Sequence, residues 1–76
     1  MEDIGSNMRA TVRETLGTIA SEIFLARVDK VIAEVAGGSL SFADGCARIE
    51  KMVNLFIGLD EARLLGVRLK KLEPQV

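Results

Sequence analysis

Between positions 42 and 56 the apolar residues recur at the interval of an α-helix, and this limits the fold more than any other feature. Phe42, Cys46, Ile49, Val53 and Phe56 step by 4, 3, 4 and 3 residues, which brings their side chains to one helix face. Met52, Leu55 and Leu59 widen the stripe, so the apolar arc near residues 52–59 spans roughly 200°, more than the width one core face requires. Beyond Leu59, the residues Ala62, Gly66, Leu69 and Leu72 keep helical spacing. Alternation of period two is missing, so the sequence predicts an all-α fold without strands.

The first half of the chain carries two apolar stripes. One runs through Met8, Val12, Leu16, Ile19 and Ile23; the other runs through Phe24, Val28, Val31 and Val35, flanked by Leu25 and Ile32. Drawn on a straight helix, the two differ in azimuth by roughly 120°. Either the helix breaks near Thr18–Ser21, or its halves face different partners. Ser6 or Asn7 can cap its start, because a short side-chain oxygen accepts from the free amides of the first turn. Gly37-Gly38 stop it, and Ser39-Leu40-Ser41 form a loop. Ser41 then caps the next helix with Asp44 three residues on, a variant of the capping box. Pro74 ends that helix. Residues 1–5 are expected to form a flexible N-terminus, residues 6–73 a single helical domain, and residues 74–76 a tail.

The favoured architecture is a long antiparallel helical hairpin, in which Gly17 would face the neighbourhood of Gly58 so that the two backbones approach closely. Two helices of ~30 residues would extend ~45 Å. The alternative is three helices with a break at Gly58; Asp60 and Glu61 suit a helix start and Lys70 and Lys71 a helix end. A two-helix hairpin cannot cover an apolar arc this wide. Two copies dimerising into a four-helix bundle would bury the excess. A chain of 76 residues with one cysteine also needs oligomerisation or very good helix packing to be stable.

The same inventory excludes much chemistry. Histidine is absent and Cys46 is the single cysteine, so disulfide frameworks, Cys/His zinc sites and histidine-based triads are out. Cys46 reads as a buried small hydrophobe, since no histidine can activate it. The carboxylates read as solvated faces, with an Asp44–Arg48 surface pair on one of them. No catalytic, cofactor-binding or metal-binding residue is expected, and the protein is not expected to be an enzyme.

The turn Gly38-Ser39-Leu40-Ser41-Phe42-Ala43 resembles the Gly-x-Leu-Ser turn that joins the helices of the exonuclease VII small subunit. That resemblance is confined to the turn. The acidic richness of the family is missing here, so it implies nothing about activity.

Ten basic and eleven acidic residues leave a net charge of −1, without a basic arm or an acidic tail. Such a chain has no general attraction for nucleic acid or an anionic membrane. The acidic start and short apolar runs predict no secretory signal and no membrane span, hence a cytoplasmic protein. The predicted function is a non-catalytic interaction, adaptor or regulatory module, a homodimer that also binds another protein. Its self-association residues would be Leu16, Ile19, Ile23, Met52, Leu55, Phe56 and Leu59. The alternative is a small DNA- or RNA-binding regulator. It would use a helix-turn-helix-like segment over 49–72 and contact nucleic acid through Arg63, Arg68, Lys70 and Lys71.

Overall fold

A computed structural model of the chain describes residues 3–73, and these form four α-helices and no strand. They are α1 (Ile4–Leu16), α2 (Glu22–Ala36), α3 (Phe42–Phe56) and α4 (Leu59–Lys70). Each helix packs on its neighbour in sequence, and α4 closes the ring against α1. The molecule measures 32 × 21 × 20 Å. The all-α fold is as expected, but the long hairpin is not. Both of its helices are broken, and the four helices expected from two copies occur within one chain.

Local chemistry accounts for the breaks. Gly17 ends α1, its N–H donating to the Arg13 carbonyl, and the chain turns through residues 17–21. Ser21 then caps α2, its Oγ accepting from the Phe24 N–H at 3.1 Å. The break lets the two stripes of the first half point at one core, which a straight helix forbids. In the second half Ile57 and Gly58 both donate to the Val53 carbonyl, closing α3. The backbone is extended at Gly58, and α4 starts at Leu59 without a side-chain cap. Asp60 and Glu61 in its first turn, with Arg68 and Lys70 in its last, complement the helix dipole in place of a cap.

Other boundaries follow the sequence more closely. Ser41 Oγ accepts from the Asp44 N–H at 3.1 Å, as the capping pattern predicts. Gly38 adopts φ +85°, the left-handed conformation that favours glycine, and lets Ser39 and Leu40 donate back to the Glu34 carbonyl. The start of α1 differs from expectation. Asp3, not Ser6 or Asn7, is its cap, with the Asp3 carboxylate accepting from the Gly5 N–H at 3.2 Å. The expected stop at Pro74 and the tail 74–76 lie outside the described residues.

The core takes its apolar residues from all four helices. Met8, Val12 and Leu16 come from α1, and Leu25, Val28 and Ile32 from α2. Cys46, Ile49 and Val53 come from α3, and Ala62, Leu65 and Leu69 from α4. Gly17 and Gly58 terminate helices instead of meeting across a hairpin. The close approaches lie elsewhere. A Cβ at Gly45 would overlap the Val35 side chain of α2, and one at Gly66 would overlap the Glu50 carboxylate of α3.

Ion pairs are few. Among the described residues, Asp29 on α2 pairs with Arg13 at 3.0 Å and with Arg9 at 3.9 Å on α1. The expected Asp44–Arg48 pair does not form. These pairs are solvent-exposed and contribute about 0–1 kcal/mol each, so burial of apolar surface holds the helices together.

Candidate interaction surface

The connection between α1 and α2 and the connection between α3 and α4 lie side by side at one end of the molecule. Ile19, Ala20 and Ser21 from the first, together with Phe24, border one depression with Phe56 and Ile57 from the second. A neighbouring depression is bordered by Ile23, Phe24, Arg27 and Phe56. The Phe24 and Phe56 rings meet with centroids 5.9 Å apart and planes tilted by 59°, a favourable aromatic arrangement. Phe24 is buried beneath this contact, whereas Phe56 keeps 65% of its surface in solvent.

Of the seven expected self-association residues, three meet at this end: Ile19, Ile23 and Phe56. They are 54%, 73% and 65% exposed. Leu55, the neighbour of Phe56, is 69% exposed. Leu59 is exposed too, but it borders a separate groove between α3 and α4 with Ala47, Lys51 and Arg63. Met52 is half-buried and packs against the core. Leu16 is a correction to the expected set, because it is wholly buried within its own chain. The α1 stripe crosses the helix end. Leu16 lies before the break and turns inward, while Ile19 and Ile23 lie after it and are carried outward.

Phe24 and Arg27 were not anticipated at this surface. The signal for Phe24 was its place beside Ile23 at the junction of the two stripes. Leu64 and Val67 are also exposed on α4, off the face defined by Ala62, Leu65 and Leu69.

The four candidate nucleic-acid residues are exposed along the outer side of α4, opposite Ala62, Leu65 and Leu69, with Arg63 and Lys70 toward its α3 edge and Arg68 toward its α1 edge. Arg68 Nη1 donates to Thr15 Oγ1 of α1 at 3.0 Å, which ties it to the α1–α4 seam. Arg63 borders the groove toward α3, and Lys70 borders a second α3–α4 groove with Phe42, Cys46 and Glu50. Lys71 follows the end of α4.

Cys46 lies at the floor of that second groove and is buried. Burial, reinforced by the Glu50 and Glu73 carboxylates and opposed by Lys70, pushes its thiol up to about 11. Such a thiol is protonated at neutral pH, the reverse of an activated nucleophile. In mildly alkaline buffer Cys46 is expected to react with a maleimide about a hundredfold slower than a free thiol, judged by its thiolate fraction. Mass spectrometry of the labelling time course checks this, and a rate equal to that of a free thiol contradicts it. The unfolded chain loses this proton near 9.0 and the folded chain only near 11. The thiol's contribution to stability is therefore complete below pH 9 and declines as pH rises through that interval. Among the described residues, no group of three or more His, Cys, Asp or Glu could hold a metal ion, and no helix is long and apolar enough to cross a membrane. No family model, no curated protein and no solved structure matches the chain.

Proposed function

We propose that the protein is a non-catalytic interaction module that self-associates as a homodimer and presents an apolar surface to another protein. The observation that carries this reading is the cluster of Ile19, Ile23 and Phe56 at the end bearing two helix connections. Large apolar side chains left in water together are characteristic of binding surfaces, whereas isolated ones are not. Aromatic residues such as Phe56 are enriched at interface centres. The residue inventory supports a non-catalytic role, since histidine is absent and the one thiol is held protonated. The alternative, a nucleic-acid-binding regulator using Arg63, Arg68, Lys70 and Lys71, asks for a cationic molecule, and the acidic residues leave this chain with a net charge of −1.

Light scattering at micromolar concentration tests the reading. The wild-type chain is expected to have the mass of a dimer, and the double substitution Ile23→Ser with Phe56→Ser that of a monomer. Both positions are exposed, so the circular dichroism of the variant should stay helical. A wild-type chain that is monomeric at these concentrations would sink the proposal.

A further inference from the structure

Helix α2 has one face that no other helix covers. Its Asp29 side meets α1 through Arg9 and Arg13, and its Val35 side meets α3 at Gly45. Between these contacts Glu22, Ile23, Ala26, Lys30 and Ala33 are all exposed, and their spacing places them on one side of the helix.

Two charges on this face are placed symmetrically about Ala26, and a third, Arg27, is exposed at its edge beside Ile23. Glu22 and Lys30 lie four residues to either side of Ala26 and carry opposite signs. Among the described residues neither belongs to an ion pair within its own chain. A two-fold contact pairs residue i with j and j with i. When two copies of α2 cross antiparallel with Ala26 on the axis, Glu22 of each chain stands opposite Lys30 of the other.

We infer that two copies of this chain associate through the outer faces of α2, antiparallel about Ala26, with Glu22 of each facing Lys30 of the other. The inference rests on the reading of self-association above and specifies its surface. Three physical features favour this register. Both charge pairs are attractive, and the antiparallel helix dipoles oppose each other. Ala26 on the axis lets the helices approach closely, because the interaxial distance is set by the side chains at the crossing. In this register Ile23, the most exposed of the large apolar residues, stands opposite the partner's Asp29, whose carboxylate is held toward Arg9 and Arg13 of its own chain. Ala33 lies opposite the partner's α1–α2 connection, where Ile19 is exposed.

Charge reversal distinguishes this arrangement from any other dimer. Sedimentation velocity on the full chain is compared for wild type, Glu22→Lys, Lys30→Glu and an equimolar mixture of the two variants. Each single reversal turns two attractive contacts into two repulsive ones and is expected to weaken the dimer about tenfold. In the mixture every cross-chain pair is again opposite in sign, so association should recover as a heterodimer. Ala26→Arg, away from the helix cap, places like charges on the axis and is expected to abolish the dimer while circular dichroism stays helical. A wild-type dimer that all three substitutions leave intact, or a mixture that fails to recover, overturns the α2 contact while self-association stands. A wild-type chain that stays monomeric overturns both.

Discussion

Replacing Leu16 by alanine is expected to destabilise the folded chain by about 2–5 kcal/mol. Leu16 is wholly buried, at the last turn of α1 where the helix meets the core. The substitution removes apolar surface and leaves a cavity that the surrounding helices fill only in part. Small domains have total stabilities of about 5–15 kcal/mol, and a chain this short belongs toward the lower end. Thermal unfolding followed by circular dichroism should show the midpoint falling by about 10 °C or more. The experiment also separates two roles for the same residue. As an interface residue Leu16 would change the mass of the assembly and leave the chain folded. As a core residue it lowers the midpoint at any protein concentration. A variant with unchanged midpoint and altered mass would contradict the placement of Leu16 inside.

Alanine at Gly45 and at Gly66 should act with opposite signs. Both glycines lie inside helices, where alanine is intrinsically favoured by about 1 kcal/mol. At Gly45 the new methyl group collides with the Val35 side chain. Val35 is β-branched and stiff, so α2 and α3 must move apart, and overpacking of this kind costs about 1–3 kcal/mol. At Gly66 the obstructing atoms belong to the Glu50 carboxylate end, which can swing toward solvent. Gly45→Ala should therefore lower the urea midpoint, and Gly66→Ala should leave it unchanged or raise it. Equal effects at the two positions would show that helix propensity, not close contact, governs both.

The sequence made some parts of this fold legible and concealed others. The centre of α3 was readable because Cys46, Ile49 and Val53 form an uninterrupted stripe with a serine cap before it. The turn at Gly37-Gly38 was readable because only glycine adopts the required φ easily. The break at Ile57-Gly58 was not readable from periodicity. The buried face of α4 (Ala62, Leu65, Leu69) lies roughly 160° around a straight helix from that of α3, but the exposed Leu55 and Leu59 bridge the two, so the apolar spacing runs on without a visible gap. Gly58 and the charges at Asp60, Glu61, Lys70 and Lys71 were what marked the new helix. Phe56 shows the cost of that blind spot. Its spacing puts it on the buried stripe, yet the helix ends there and the ring is left half in water. In the first half the break did leave a trace, the change in azimuth between the stripes. A stripe does not reveal which of its members come after a helix end, so Leu16 was grouped with Ile19 and Ile23. The candidate surface was legible to that extent: its exposed members were named, while Phe24, which anchors Phe56, was assigned to the other stripe.

The ring order of the helices has a consequence for how the chain reaches its native state. Three of its four seams, α1–α2, α2–α3 and α3–α4, join helices adjacent in sequence, and only the α1–α4 seam closes across the whole chain. Short loops cost little entropy to close, and topologies dominated by such contacts fold fast. The three local hairpins can therefore assemble in any order. The Arg68–Thr15 seam must wait for the ends of the chain to find each other, which makes it the natural final step of folding.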